Sequence, residues 1–391
     1  LIENYLVVDT ENSGAQRNKA HPFDPRNKLL LLGLRNHLHS AIYDIEYSLD
    51  PYGNCIDFAR MAIRGSSLIV GFNLKYDLHW LRRYGIEIPE GVKIWDCQLA
   101  EFLLTSQTES YPSLAATCLK YGLPLKIDTL KEYLEQGLDV SDIPLPELTE
   151  YLEGDLISTE ELFLKQVDLI REAGLWNLFR LQCQDLLVLA DMEYNGMKYD
   201  LEKSKSLAQA CQVEEDELSR SLCGLVDPEI APHVNWNSGD HLSAILYGGR
   251  ISFDLRHENG VYKSGRNVGK PRYRIETIEY VFPQLVKPLQ GSELKKDGFY
   301  KTDIDTLKGI KAKGVAKQIV NTSLRLSELS KLRGTYYEGI PKKFDDYGWE
   351  DSLVHGQLNQ CVAVTGRTSS SNPNGQNITS DVKECFVSRY Q

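Results

Sequence analysis

No apolar run in this 391-residue chain approaches the roughly 20 residues that a helix needs to cross a bilayer. There is no C-x-x-C pair, and none of the eight cysteines (55, 97, 118, 183, 211, 223, 361 and 385) has a histidine partner at zinc spacing. A zinc site is thereby excluded, and the cysteines read as reduced thiols, mostly in cores. Long repeats and low-complexity linkers are also missing, which leaves no basis for a solenoid or a disordered class. The first residues read as a core strand, not a signal peptide.

Positive charge is scarce as well, the formal net charge being −11. Taken whole, that argues against a nucleic-acid partner. The charge is uneven, however: nearly all of the excess lies in residues 1–180, and the remainder is close to neutral. A basic cluster, Lys263, Arg266, Lys270, Arg272 and Arg274, stands in the second half, where it could meet phosphates. Apolar and charged contents of 42% and 25% are those of a globular protein, and the length predicts two or three domains.

What is present begins with Tyr5-Leu-Val-Val-Asp9-Thr-Glu11, an apolar strand ending in two acids one residue apart. Strand side chains alternate with period two, so Asp9 and Glu11 share a face. Two like charges repel by roughly 4 kcal/mol at about 4 Å in an effective dielectric near 20. Keeping both ionised points to a bound cation, against the plainer reading of a strand ending in solvent.

Further acids follow. Gly71-Phe-Asn73-Leu-Lys-Tyr-Asp77 comes directly after a buried strand, Ser67–Phe72, and places Asn73 and Asp77 one helical turn apart. The plain alternative is a capping Asn with a first-turn Asp. Tyr151-Leu-Glu-Gly-Asp155 repeats that spacing inside a long helical run, 146–173, where a solvated acidic face is the alternative. Asp96 reads as a helix cap and not a ligand.

The surrounding pattern predicts strands at Leu29–Leu34 and Ala41–Glu46, a helix at Cys55–Arg64, and helices at Gln98–Thr105 and Pro112–Tyr121. Three early strands favour hairpins, and a later strand beyond a helix favours a mixed sheet. From Trp176 the pattern is helical, with runs at Leu178–Tyr194 and Leu201–Leu225. Gly248-Gly249, Asn259-Gly260 and Ser264-Gly265 mark turns between β-prone runs and predict hairpins on a projecting tip. Helices are expected again at Asp303–Ala312 and Val315–Tyr337, then strand at Leu353–Val364 and a polar loop.

As an ordered set, D-x-E on the first strand, N-x-x-x-D after a later strand and Y-x-x-x-D on a late helix resemble the proofreading 3′–5′ exonuclease domain of family A DNA polymerases, in the subgroup whose third motif carries Tyr. Leu189-Ala-Asp-Met-Glu193-Tyr-Asn-Gly196, Asn235–Leu242 and Tyr300–Asp303 resemble that family's thumb. Lys331-Leu-Arg-Gly-Thr-Tyr336, Val354-His355 and Thr365-Gly-Arg-Thr-Ser-Ser-Ser371-Asn-Pro-Asn-Gly-Gln-Asn-Ile378 resemble its K-L-x-x-T-Y, V-H and T-G-R-L-S-S-x-x-P-N-L-Q-N-I-P series. Thr368, Gly375 and Thr379 depart from the usual Leu, Leu and Pro, which bears on the conformation of that loop.

The resemblance implies an α/β architecture: a ribonuclease H-like exonuclease domain with a mixed sheet over residues 1–173, a mainly helical thumb over 174–340 with a basic β-hairpin tip at about 249–298, and the start of an α+β palm over 341–391. It implies two Mg²⁺ or Mn²⁺ ions held by Asp9, Glu11, Asp77 and Asp155, with Asp9 bridging both. Tyr151 would orient the attacking water, and Asn73 would hold the strand near its 3′ end. The chemistry would be two-metal hydrolysis of the 3′-terminal phosphodiester, releasing a nucleoside monophosphate. Arg367, Gln376 and Asn377 would face the primer-template, and the five tip cations would contact duplex backbone, a processivity factor being the alternative occupant.

With no membrane-length apolar run and no signal peptide, a cytoplasmic setting is expected, in a bacterial or phage-infected cell. The family's palm carboxylates lie beyond the residues present, so synthesis is expected to need a further C-terminal half, as in a polymerase divided over two chains or a shortened one. Leu1 in place of Met suggests a start that is trimmed or incompletely recorded. Two other readings are a non-catalytic DNA-binding or assembly subunit with a vestigial nuclease, and an RNA-processing 3′–5′ exonuclease, which the T-G-R to Q-N-I series disfavours.

Overall fold

Strand β1 (Tyr5–Asn12) is the centre of a five-stranded sheet with order β3-β2-β1-β4-β5. The computed structural model describes residues 4–14, 20–46, 54–124, 130–265 and 267–389. Strands β2 (Leu29–Arg35) and β3 (Ser40–Asp44) form the antiparallel side. Beyond helix α1 (Asn54–Gly65), strand β4 (Leu68–Gly71) runs parallel to β1. Helix α2 (Leu74–Arg83) leads to β5 (Lys93–Asp96), parallel to β4. The expected mixed sheet is therefore present: the short link from β2 to β3 permits antiparallel pairing, whereas each parallel pair needs a helical crossover.

Helices α3 (Cys97–Leu104), α4 (Leu114–Tyr121) and α5 (Leu130–Glu135) precede α6 (Leu145–Glu172), whose 28 residues span roughly 42 Å at 1.5 Å per residue. Leu148, Leu152, Leu156 and Phe163 of α6 are fully buried with Val7, Val8, Leu32, Ile69 and Val70. Each such side chain contributes about 1.5–3 kcal/mol by leaving water. Gly33 on β2 permits the close approach: a Cβ there would stand 2.7 Å from Leu156 Cδ1. Helix α7 (Trp176–Asn195) adds Phe179, Cys183 and Leu186 to the same core. All eight cysteines are free thiols, six of them buried.

The chain divides into two compact units, residues 1–201 with 340–391, and residues 202–339. After the short strand β6 (Met197–Lys198), the second unit contains α8 (Leu201–Cys223), α9 (Gly239–Tyr247), strands β7 (Gly249–Val261) and β8 (Pro271–Phe282), α10 (Ile304–Gly309) and α11 (Gly314–Lys331), which runs into a π-helical turn at Leu332–Tyr337. Its core joins Leu242, Ile245, Leu246, Ile251, Phe253, Phe282, Ile319 and Val320. The expected separate hairpins are one long ribbon, paired from Gly249↔Phe282 to Val261↔Pro271. Asn259-Gly260 is absorbed in a bulge between Glu258 and Val261 instead of making a turn; Gly260 has φ 76°. Helix α10 is shorter than the periodicity predicts.

Residues 340–389 return to the first unit. They comprise α12 (Gly339–Tyr347), β9 (Leu353–Val354) antiparallel to β6, β10 (Gln357–Asn359) antiparallel to β11 (Ser369–Ser371), and α13 (Ser380–Lys383). The predicted strand 353–364 is thus two short pieces, broken where Gly356 intervenes. Val382 and Cys385 are buried, and Tyr199 forms a β-bridge with Phe386.

Candidate active site

Asp9 pairs with Gly33 across β1 and β2, and residues directly opposite in an antiparallel pair project to one face. The missing side chain of Gly33 faces Leu152 and Leu156, so Asp9 faces α6. Glu11, two residues on and opposite Leu31, shares that face, and the register shifts just after it. Helix α6 carries Asp155, which is buried, and Tyr151, which is half-buried, one turn apart on the helix packed against β1.

Asp77 arrives from helix α2. It sits in the first turn of α2, 3% exposed, and its Oδ1 accepts a 2.7 Å hydrogen bond from Thr10 Oγ1, the residue between the two strand acids. Burial raises the Asp77 carboxyl well above the ordinary range, and the charge of Asp9 raises it further; the Thr10 hydroxyl pulls the other way. Asp9 and Asp77 are therefore electrostatic neighbours. Thr10 was not among the expected site residues, and D-x-E patterning offers no signal for the intervening position.

Asn73 occupies the N-cap of α2 with φ 58° and ψ 43°, and its side chain does not cap the helix. The capping role expected as its plain alternative is taken by Asp96, whose Oδ2 accepts from Leu74 N–H at 2.7 Å. Asp96 also caps α3, as predicted, through Oδ1 and Leu99 N–H at 2.9 Å. Burial raises its carboxyl, and backbone N–H donors at Leu99, Leu74, Gln98 and Asn73 oppose that rise.

A cleft of about 780 Å³ adjoins these groups, with Asn12, Asn73, Lys75, Tyr76, Gln98 and Tyr111 on its wall. Tyr76 donates to the Ala20 carbonyl at 2.7 Å, and burial pushes its phenol up. At the far end lies a junction that sequence reasoning missed. Glu193 of α7 accepts from Lys75 Nζ at 2.5 Å and from His79 Nε2 at 2.7 Å, and also from Leu358 N–H; its own carbonyl accepts from His355 Nδ1 at 2.8 Å. Phe23 stacks on His355 at 4.3 Å.

The donors around β1 are hard carboxylate oxygens, the type that suits Mg²⁺ or Mn²⁺. The rise at Asp77 from Asp9 is a crowding of acids that a cation would relieve. Among the described residues, however, no three His, Cys, Asp or Glu side chains stand close enough together to hold a metal ion. The donor chemistry fits a divalent cation; the convergence of three ligands is not present in this arrangement.

The remaining predicted residues lie elsewhere. Lys263, Lys270, Arg272 and Arg274 are exposed on the β7–β8 ribbon and its turn, in the second unit; Arg266 lies outside the described residues. Arg367, Gln376 and Asn377 are exposed in the first unit, and Gln376 Nε2 donates to the Thr368 carbonyl at 2.7 Å. That bond closes the loop despite the departures at Thr368 and Gly375. No helix of the described residues is long and apolar enough to cross a membrane.

Residues 276–390 match the family model described as DNA polymerase family A. Over that stretch, and through its relatives, the chain is similar to family A DNA polymerases. It is similar to DNA polymerase I of Synechocystis sp., 28% identical over 309 residues covering 78% of this chain and 26% of that protein. DNA polymerase I of Bacillus subtilis is 26% identical over 318 residues, 80% of this chain and 30% of the relative; that of Aquifex aeolicus is 24% identical over 407 residues, 98% and 56%. The chain thus spans about a quarter of the length of the first of these relatives. Its fold is similar to the polymerase domain of Pol1 from M. smegmatis, solved in complex with DNA primer-template and dNTP: TM-score 0.63 at 16% identity, covering 98% of this chain and 54% of that one.

Proposed function

We propose that this chain is the 3′–5′ proofreading exonuclease and DNA-gripping front portion of a family A DNA polymerase. The observation that carries the reading is the bond from Thr10 to Asp77, which brings an acid of α2 against the strand that bears Asp9 and Glu11, while α6, the helix that carries Tyr151 and Asp155, packs on the same strand.

Asp9, Glu11, Asp77 and Asp155 would hold two Mg²⁺ or Mn²⁺ ions, which when bound would lower the pKa of a water and stabilise the leaving oxygen. The chain's own groups do the rest. Asn73, on the wall of the cleft, holds the single strand near its 3′ end. The Tyr151 phenol orients the attacking water. The water oxygen bonds to phosphorus, the bond from phosphorus to the 3′ oxygen of the preceding nucleotide breaks, and that oxygen takes a proton. A nucleoside 5′-monophosphate leaves. Lys263, Arg266, Lys270, Arg272 and Arg274 contact duplex phosphates, and Arg367, Gln376 and Asn377 face the primer-template from the exposed loop.

A second reading is a DNA-gripping chain whose nuclease is vestigial. Digestion of 3′-labelled single-stranded DNA with Mg²⁺, beside Asp9→Ala and a matching RNA, separates the two. Asp9-dependent, DNA-specific release of mononucleotides is expected; DNA binding without release selects the second reading.

A further inference from the structure

We propose that Asp96 is a positioning residue of the candidate nuclease: from the end of β5 it fixes where α2 begins, and so where Asn73 and Asp77 stand. This inference rests on the editing reading above.

The β4–β5 register pairs Gly71 with Asp96, which places the carboxylate beside the turn that enters α2. That turn is tight. A Cβ on Gly71 would stand 2.7 Å from Leu74 Cδ1 and 3.2 Å from the Val8 carbonyl, so the turn lies close against β1. The next residue but one, Asn73, is left-handed and gives α2 no side-chain cap. The first turn of a helix has N–H groups that need acceptors from outside it, and Asp96 supplies one at Leu74 N–H.

The same carboxylate caps α3 with its other oxygen. One buried side chain, 3% exposed, therefore ties the starts of two helices to the end of β5. The consequence for the site is geometric. Because capping does not fall to Asn73, its side chain stands on the wall of the cleft. Asp77, one turn further, is carried against β1, where the Thr10 hydroxyl meets it.

Asp96→Ser separates the two roles. Serine is itself a favoured N-cap, so α3 keeps a local cap, while the shorter side chain does not reach Leu74. The expected variant melts cooperatively near the wild-type temperature and exchanges its Leu74 amide hydrogen faster, with Leu99 still protected. Metal-depleted protein should bind Mn²⁺ about 10-fold more weakly, the lower end of the effect of losing a group that orients a ligand. The kcat for mononucleotide release from 3′-labelled single-stranded DNA should fall about 100-fold, as for a misplacement near 1 Å.

Wild-type Mn²⁺ affinity and kcat in a folded Asp96→Ser protein would overturn the proposal. So would loss of the cooperative melt in both Asp96→Ser and Asp96→Asn, which would assign Asp96 to the fold alone. Wild-type protein that releases no nucleotide removes the editing reading itself; an active wild type beside an equally active Asp96→Ser removes only the role given to Asp96.

Discussion

Glu193 Oε2 accepts a 2.7 Å hydrogen bond from His79 Nε2, across 114 residues of chain, and both side chains are about 5% exposed or less. The geometry fits a neutral imidazole donating to an ionised carboxylate. Burial lowers the pKa of His79, although Glu193 opposes that effect. Burial alone would raise Glu193, but the bond from His79 and the charge of Lys75 outweigh it and leave its pKa lowered. Glu193 so links α2, which carries Asp77, to α7 and to β10 through Leu358.

Removing that carboxylate leaves Lys75 charged in a half-buried place, with the Leu358 carbonyl as its acceptor and no anion to balance it. Glu193→Ala is expected to destabilise the protein by about 3–5 kcal/mol, the cost of breaking a buried ion pair from one side. Denaturant unfolding checks it; a loss below about 1 kcal/mol would place the pair among those of exposed type.

Stability should also fall in mild acid. His21 is lowered to about 4 by burial and by His355 and His79, and His79 and His355 are likewise lowered, burial first. In the unfolded chain these groups titrate near about 6.5. Between those values the unfolded state binds more protons, so stability falls as pH drops. Glu193, with its depressed pKa, adds a loss at still lower pH. Thermal melts from pH 7.5 to 5 should show a declining midpoint, and His79→Gln should reduce the slope.

Thr10→Val keeps the shape of β1 but takes a hydrogen bond from buried Asp77. A buried acceptor left without its donor costs about 1–3 kcal/mol. The hydroxyl also lowers the Asp77 pKa, so its loss raises that pKa further. If nucleotide release needs ionised Asp77, the acid limb of the pH–rate profile moves to higher pH. An unmoved limb would separate Asp77 from the reaction.

On the ribbon, Arg272 and Arg274 alternate onto one face, with His257 opposite Arg274. Replacing Lys263, Arg266, Lys270, Arg272 and Arg274 by Gln should flatten the plot of log binding constant against log salt for duplex DNA, by about 0.9 for each phosphate that is no longer neutralised. An unchanged slope would remove these cations from the interface.

The sequence by itself determined most of the elements and the order of the candidate site residues. Short apolar runs place β1, β2 and β4, which are buried on both faces, and period-3.6 patterns place α6 and α7, each within a few residues. Asp9, Glu11, Asp77, Tyr151 and Asp155 are legible as an ordered set because strand and helix spacing fix which neighbours share a face. The cap at Asp96 is legible because capping is local.

Only the tertiary structure decided what those residues meet. That Asp77 approaches β1 through Thr10 depends on sheet order, and strand order is not written in any local period. The second use of Asp96, at Leu74, and the junction at Glu193 join residues 22 and 114 or more positions apart. Such contacts form only when β5 pairs beside β4 and α7 packs on α2. The merging of the ribbon into one hairpin has the same cause: cross-strand pairing over its full length outweighs the local turn preference of Asn259-Gly260.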